Sequence, residues 1–346
     1  MRLDGKLQIT ETKFFRKIKG DRRVSSSVTF DIKASIGTYR FRISGGGYAV
    51  KKLNRHKEKR TPTLVYHLLS VPAVALSGMI VLIPAVRTIY SAFTDWNGVS
   101  SHMNWIGLRN FQELMKDWIF WKAVANNFKW TLIFLTIPMV ISMFAAVLMA
   151  RYHVGHKTFQ AIYLIPYLLA PSTNAVIWQN IIFSPNAGLV GFLQGLGWNI
   201  TSPLGNIDTA LLGAAGVDIW HYWGYLAVVF LAALRQTPTD QLEAAKLEGA
   251  NGVQTFIYIY MPSILPTVLM MTVFITIYSF MTYDYIFLLT SGGPAHATEV
   301  LSTYARTMAF SAFKFGKAAA ISLVMGVFGS IAGFAYVWLS RKETLQ

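Results

Sequence analysis

Four side chains that can form hydrogen bonds share one face of a predicted helix. Asp218, His221, Tyr222 and Tyr225 stand at offsets 0, 3, 4 and 7, so this face presents a carboxylate, an imidazole and two phenols. Sugars combine hydroxyl groups with apolar C–H faces, and such a mixture of polar and aromatic groups suits them. If the helix spans a membrane, an alternative places Asp218 at the outer interface and the rings in a headgroup belt.

The sequence lacks the residues for several other kinds of chemistry. It has no cysteine, which excludes a disulfide scaffold, a cysteine nucleophile and an iron–sulfur cluster. It has no G-x-x-x-x-G-K-[ST] loop, so we expect no ATP hydrolysis by a Walker-type site in this chain. His153 and His156 are the one close histidine pair, without acidic neighbours, and we predict neither a metal site nor a catalytic residue.

The composition indicates a membrane protein. The chain is 53% apolar and only 14% charged, whereas soluble domains carry about 25% charged residues. A helix needs roughly 20 mostly apolar residues to cross about 30 Å of hydrocarbon. Runs of this kind predict an all-α, polytopic fold with six transmembrane helices, at about 64–86, 130–150, 160–183, 209–234, 263–283 and 318–340.

Residues 1–63 form a separate basic tail. They contain 17 of the 31 lysines and arginines and 5 of the 16 acidic residues, a local net charge of +12. Because the remaining chain is apolar, we expect anionic lipid headgroups as the partner and no nucleic acid. Alternating residues at 29–33 and 39–43 are compatible with a small hairpin, and the alternative is a flexible polybasic leader on the inner leaflet.

The charge distribution predicts the orientation. With the amino terminus inside, the inner segments carry 23 lysines and arginines and the outer segments carry 8. This asymmetry predicts that both termini are cytoplasmic. Most of the difference comes from the tail, and the short loops alone leave the orientation ambiguous. The first apolar run begins only at residue 64, so we expect no secretory signal.

The loop between the fourth and fifth spans has the most informative pattern. Asp240 as N-cap, followed three residues later by Glu243, predicts a short helix over about 240–252. We expect Asn251-Gly252 to end this helix, with a second, aromatic-rich helix leading into the fifth span.

One face of this short helix is predicted to be narrow. Leu242, Ala245 and Gly249 fall on it at spacings of three and four, so it can approach another protein's surface closely. A rigid helix between two membrane spans is suited to docking a partner on the cytoplasmic side.

The same loop carries a family resemblance. Glu243-Ala244-Ala245, Gly249 and the later Ile259-x-Met261-Pro262 resemble the EAA motif of permease subunits of ABC importers. Further stretches resemble carbohydrate permeases of the MalF type: Trp105–Phe111, Phe120–Ala123, Asn126-Asn127, Leu231–Leu234 with Pro238, and Thr290–Pro294. The resemblance covers residues 64–342 as one transmembrane domain, and it implies the MalF/MetI-like type I importer fold with a cytoplasmic coupling helix.

The resemblance implies a transport function and its partners. The chain is expected to be a permease subunit that moves a sugar or oligosaccharide across the bacterial cytoplasmic membrane. Glu243, Ala244, Ala245 and Gly249 would couple it to an ABC ATPase dimer. A second, homologous permease would complete a heterodimer, and an extracytoplasmic solute-binding protein would deliver the sugar. ATP and Mg²⁺ would be held by the ATPase, and no cofactor by this chain.

The resemblance also extends the candidate substrate path. In MalF-like permeases the sugar contacts lie on the helices before and after the coupling loop and on one further upstream. Counting from the EAA motif, the helix before the loop contributes the Asp218–Tyr225 face. The helix after the loop contributes Tyr278 and Ser279, and the helix further upstream contributes Tyr167. Two alternatives are an ion-gradient-driven secondary transporter, for which Asp218 is the one embedded acid, and an ABC permease for a non-sugar solute such as a glycerol phosphate.

Overall fold

The computed structural model describes residues 2–3, 7–8, 28–34, 37–44, 47–53, 63–151, 155–186 and 188–343. The chain divides into two compact units, Met1–Ile80 and Val81–Gln346. The described residues of the membrane part form the expected α-helices, and β-strands occur in the tail.

The tail contains the hairpin and three further strands. The strands are β1 Arg2–Leu3, β2 Leu7–Gln8, β3 Val28–Ala34, β4 Gly37–Ser44 and β5 Gly47–Leu53, and β3, β4 and β5 form one antiparallel sheet. The register pairs Phe30 with Phe41 and Phe41 with Val50. Apolar residues therefore lie opposite one another across the three strands, in agreement with the apolar–polar alternation of the sequence. Over these residues the chain is a sheet and not a flexible leader.

The helices of the membrane part follow the apolar runs. They are α1 Thr63–Ser77, α2 Ile83–Ala92, α3 Arg109–Met115, α4 Trp118–Arg151, α5 His156–Leu168, α6 Pro171–Ile177, α7 Leu189–Gly195, α8 Ala210–Leu234, α9 Thr239–Leu247, α10 Gly252–Thr255, α11 Met261–Met281, α12 Asp284–Thr290, α13 Leu301–Arg306 and α14 Phe315–Glu343. Single π-helical turns join α1 to α2 at Gly78–Leu82 and α10 to α11 at Phe256–Tyr260.

Among the described residues, five helices are long and apolar enough to cross a membrane, and a bent pair raises the count to six. The five are Ser70–Ala92, Trp118–Arg151, Ala210–Leu234, Gly252–Met281 and Phe315–Ala335. The predicted all-α architecture of six spans is therefore confirmed for the membrane part. Two helices begin earlier than predicted. The predicted spans start after the charge of Lys129 and after Pro262, whereas the helices continue through both residues.

The third predicted span, 160–183, is not one helix. Its two limbs, Thr158–Leu168 and Pro171–Ile182, meet at an angle of 92°. Leu169 and Ala170 have extended backbones, with ψ of 139° at both. A residue before proline is driven from the helical region, so Pro171 ends the first limb and begins the second.

The core is centred on α8, which packs along α4. Trp130 and Phe134 from α4 and Phe230 from α8 are fully buried in the main apolar cluster. A Cβ atom at Gly224 would clash with the backbone carbonyl of Tyr163, so this glycine lets α5 cross α8 at backbone contact. Small residues permit such close crossings in membranes, where helix association depends on packing.

Two adjacent side-chain amides tie α4 to α11 and to residues 297–301. The Asn126 side chain donates to the carbonyls of Ala297 and Glu299 at 2.9 and 2.8 Å. The Asn127 side chain donates to the Ser279 carbonyl at 2.9 Å and accepts from the Leu301 amide at 2.9 Å. All four bonds are buried, so these amides satisfy backbone groups that hydrocarbon cannot solvate.

Asp117 fastens the start of α4 to α13 and α14. Its Oδ2 accepts a hydrogen bond from the Tyr304 hydroxyl and lies 3.3 Å from Lys317 Nζ, while Oδ1 accepts from the Ile119 amide at 3.0 Å. Partial burial raises the pKa of Asp117, but the bonds from Tyr304, Ile119 and Lys317 outweigh it and hold the pKa below the usual aspartate range.

We expect Asp117→Asn to destabilise the purified chain by about 1–3 kcal/mol at pH 7, because it weakens charge-assisted hydrogen bonds. The depressed pKa means that this stabilisation is present above the unfolded-state pKa, about 3.9, and is lost as the pH falls through the folded-state value. The midpoint of thermal unfolding in detergent, Tm, should be lower for Asp117→Asn than for wild type at pH 7, and the two values should converge in acid.

The exposed Arg109–Glu113 pair supplies the control Glu113→Gln, which we expect to change Tm little. Equal Tm for Asp117→Asn and Glu113→Gln at pH 7 would contradict this account.

Candidate functional site

The break between α5 and α6 exposes backbone groups that a side chain of α8 meets. His221 Nε2 lies 3.2 Å from the carbonyl oxygen of Leu169, the residue at the break. Non-helical backbone is tolerated at membrane depth only where protein or a water-filled cavity satisfies it. His221 therefore holds α8 to the point where the third span turns.

The second limb of the broken span is held by α12. The Asn174 amide donates to the Tyr285 hydroxyl at 2.8 Å, and both residues are buried. The Gln179 amide donates to the carbonyls of Leu288 and Leu289 at 3.3 and 3.0 Å. These bonds fix the bent limb against its neighbour and leave space beside the break.

A cavity of about 510 Å³ occupies that space. Its lining comes from the break, from α8 and from α11: Tyr167, Leu169, Pro171, His221, Tyr222, Tyr225, Met271, Phe274 and Tyr278. Five residues of the predicted substrate path thus meet in one cavity, namely Tyr167, His221, Tyr222, Tyr225 and Tyr278. The volume lies in the usual range for small-molecule sites.

The tyrosines are arranged as two stacked pairs. The rings of Tyr167 and Tyr225 lie 4.6 Å apart at 15°, and those of Tyr222 and Tyr278 lie 5.9 Å apart at 6°. Tyr222 also lies 5.7 Å from Tyr225, which joins the pairs into one aromatic wall. Such a wall offers flat apolar faces with phenol groups at their ends, which can pack on C–H surfaces and bind hydroxyl groups.

Asp218 and Ser279 do not line this cavity. Both are fully buried, and neither Asp218 oxygen nor the Ser279 hydroxyl has a hydrogen-bond partner among the described residues. A carboxylate at the solvated outer interface would be exposed, so the full burial of Asp218 argues against that alternative. Asp284 is exposed in the first turn of α12, as expected of a solvated helix end.

The cavity also includes residues that the sequence reasoning missed. Met271 and Phe274 stand seven and four positions before Tyr278, so helical spacing alone would have placed them on the same face. Leu169 and Pro171 enter because of the break, which apolar-run counting does not detect.

The loop after α8 is a short helix that begins differently from the prediction. α9 spans Thr239–Leu247, shorter than the predicted 240–252, and Pro238 occupies the N-cap position without a side-chain hydrogen bond. Asp240 lies in the first turn and is not the N-cap, and the capping box with Glu243 is not formed. Proline fixes the entry to the helix through its own backbone geometry.

The end of α9 corrects the expected role of Gly249. The residue lies beyond the helix with φ of 78°, so it does not share a helical face with Leu242 and Ala245. Its amide donates to the Lys246 carbonyl at 3.1 Å, and the Ala250 amide donates to the Ala245 carbonyl at 2.9 Å. This pair of bonds is a Schellman motif, which requires a left-handed residue where glycine is preferred.

The two faces of α9 differ in burial. Ala245 is buried and Leu242 half-buried, so the face predicted to approach a partner turns toward the chain itself. Glu243 and Ala244 are exposed, and Leu247 is 89% exposed although it is apolar.

α9 is joined to the fifth span without a flexible break. Asn251 accepts hydrogen bonds from the amides of Val253 and Gln254, and the Gln254 side chain accepts from the Asn251 amide, which completes a capping box. The helix that begins there runs from Gly252 to Met281. α9 and the helix that carries Tyr278 are therefore separated by only a short, hydrogen-bonded turn.

Comparison with known proteins now decides the family. Residues 129–344 match the family described as binding-protein-dependent transport system inner membrane component. A probable ABC transporter permease of Pyrococcus horikoshii is 30% identical over 295 residues, which cover 82% of this chain and 98% of the relative. The chain belongs to this family of ABC transporter permeases. The permease is accordingly a multi-pass membrane protein.

Further similarities agree with the family. The permease is 29% identical to the probable starch degradation products transport system permease protein AmyD of Thermoanaerobacterium thermosulfurigenes, over 81% of this chain and 95% of AmyD. Its fold is similar to a chain of a bacterial alginate ABC transporter solved in complex with an alginate pentasaccharide-bound periplasmic protein. That match has a TM-score of 0.73 and 19% identity, and it covers 84% of the permease and 99% of that chain.

We expect Gly249→Val to open the end of α9 and Gly249→Asn to preserve it. An L-residue in the left-handed region costs roughly 1–2 kcal/mol, and asparagine tolerates that region best. Hydrogen exchange of the Ala250 amide should therefore accelerate roughly 5–30-fold in Gly249→Val. The Asn variant serves as the control of similar size. Equal protection in both variants would show that the left-handed conformation is not what the loop requires.

Proposed function

We propose that the permease is the membrane subunit of an ATP-driven importer and that the aromatic cavity is part of the path of a sugar or oligosaccharide. The observation that carries this proposal is the wall of stacked tyrosines beside the broken third span. AmyD, by its name a component of a transport system for starch degradation products, supports a carbohydrate.

The chemistry of the lining favours a neutral sugar over a glycerol phosphate. The described residues around the cavity include no lysine or arginine, and His221 is engaged with the Leu169 carbonyl. A phosphate group buried there would lack the cationic partner that such sites normally supply. Tyrosine hydroxyls and ring faces, by contrast, suit a ligand made of hydroxyl and C–H groups.

The proposed assembly has four kinds of subunit. A second, homologous permease would complete a heterodimer, two ABC ATPase subunits would bind ATP and Mg²⁺, and a solute-binding protein would deliver the sugar from outside. Gly326, Gly329 and Gly333 on α14 support a permease partner, because open space remains where a Cβ would stand on each. Both termini and α9 would face the cytoplasm of a bacterium. Binding-protein dependence argues against an ion-gradient-driven secondary transporter.

Coupling in this proposal follows from how α9 is attached. Glu243, Ala244 and Leu247 are the exposed groups that would meet the ATPase, and Ala245 and Gly249 would keep the helix in shape. α8 precedes α9, and α11 follows it through the Asn251 capping box. Because both helices line the cavity, a push on α9 reaches Tyr222 and Tyr278 together. The cavity would then alternate between outward and inward access.

We expect Glu243→Lys and Tyr222→Ala to fail in different ways. In the assembled transporter, Glu243→Lys should lose ATPase association or sugar-stimulated hydrolysis, because it reverses the charge on the exposed face of α9. Tyr222→Ala should keep the ATPase bound and raise the half-saturating sugar concentration roughly tenfold, equivalent to about 1.4 kcal/mol. ATPase co-purification and sugar uptake into proteoliposomes measure the two effects separately.

Two controls make this comparison decisive. Glu243→Gln keeps the size of the side chain, and Tyr222→Phe keeps the ring and its stacking on Tyr278. We expect Tyr222→Phe to fall between wild type and Tyr222→Ala in sugar affinity. Normal hydrolysis and uptake in Glu243→Lys would contradict docking through α9. Unchanged uptake in Tyr222→Ala would contradict passage of the sugar along the tyrosine wall.

A further inference from the structure

A second cavity lies between the amino-terminal parts of α4 and α8, and it shares no lining residue with the first. It encloses about 370 Å³. Its lining is Lys122, Asn126, Lys129, Leu132, Ile133, Ile207, Asp208, Leu211, Leu212 and Ala297. Nothing in the transport mechanism described above uses these residues.

The positive charges of this cavity lie on one face of α4. Lys122, Asn126 and Lys129 stand at offsets 0, 4 and 7 of the helix, so all three project to the same side. Within the part of the chain that the structure describes, neither lysine forms an ion pair. Asn126 is already engaged with two backbone carbonyls, which leaves the lysines as the available donors.

The net charge of the lining suits a single anionic group. Two lysines and Asp208 leave one positive charge in excess. Lys122 is half-buried, and Lys129 and Asp208 are exposed. The lysines are about 10 Å apart along the helix axis, and their long stems allow both ammonium groups to converge on one group placed between them.

The rest of the lining is apolar and open. Leu132, Ile207 and Leu212 are 66%, 56% and 58% exposed, so the cavity continues onto an exposed apolar surface. Trp118 and Trp121, 64% and 51% exposed, stand at the same end of α4. Tryptophans collect where headgroups meet hydrocarbon, which places the lysines at the level of lipid phosphates.

We propose that this cavity binds a phospholipid. Its phosphodiester lies between Lys122 and Lys129, and an acyl chain runs along Leu132 and Leu212. A phosphodiester carries the single negative charge that the lining balances, and lysine ammonium groups form strong charge-assisted hydrogen bonds to phosphate oxygens. A soluble anion would use the lysines and leave the exposed leucines uncovered.

The test is native mass spectrometry of the delipidated, assembled transporter, titrated with dioleoyl phosphatidylglycerol. Wild type should retain the lipid. Lys122→Gln/Lys129→Gln should retain at least tenfold less, and Lys122→Arg/Lys129→Arg should recover most of the loss. Lys116→Gln/Lys314→Gln removes two exposed lysines outside the cavity and should bind as wild type. Sugar-stimulated hydrolysis equal to wild type checks that each variant is assembled.

Two further ligands separate the parts of the lipid. Dioleoylglycerol, which lacks the phosphate, should bind weakly and without regard to the lysines. Inorganic phosphate, which lacks the chains, should not compete with the lipid at equal concentration. Equal lipid retention in the double Gln variant would overturn the proposal, and it is the result expected if the partner permease covers this cavity. Competition by inorganic phosphate would also overturn it, in favour of a simple anion site.

Discussion

Hydrocarbon cannot hydrogen-bond to peptide groups, and the permease is organised around one place where its backbone departs from the helix at membrane depth. Leu169 and Ala170 are extended, Pro171 excludes the helical conformation at Ala170, and the Leu169 carbonyl lies 3.2 Å from His221 Nε2. The bend of 92° brings the second limb onto α12. The cavity is the space that this departure leaves, so its position follows from a backbone constraint and its chemistry from the tyrosines that surround it.

α8 connects this cavity to the rest of the molecule. It contacts α5 at Gly224, packs along α4 through Phe230 and carries His221 to the break. Its far end leads through Pro238 into α9, and α9 leads through the Asn251 capping box into α11. The helix before the loop and the helix after it therefore both reach the loop and the cavity. The proposed coupling uses this arrangement to link a loop displacement to a change in cavity shape.

The membrane architecture could be predicted from the sequence because long apolar runs report on hydrocarbon burial directly. Asp218, His221, Tyr222 and Tyr225 shared a predicted face because they lie on a regular helix. The break was missed because it leaves hydropathy unchanged and depends on a single proline. Gly249 was predicted to lie on a helical face, but it forms the C-terminal cap of α9. The difference arose because helical spacing was extended past the helix end, where the cap requires a left-handed conformation. Side-chain burial at Asp218 depends on long-range packing, which periodicity does not report.

The central claim is that sugar occupies the tyrosine-lined cavity, and accessibility of a single thiol tests it most directly. The chain has no cysteine, so Phe274→Cys places one reactive group on the lining, and Val99→Cys places one at an exposed position outside both cavities. The measurement is the rate of alkylation by a membrane-permeant maleimide in the assembled transporter, with and without a panel of sugars that includes maltotriose. The account predicts that a transported sugar slows alkylation at position 274 and leaves the rate at position 99 unchanged. Equal rates at position 274 with and without every transported sugar would contradict it.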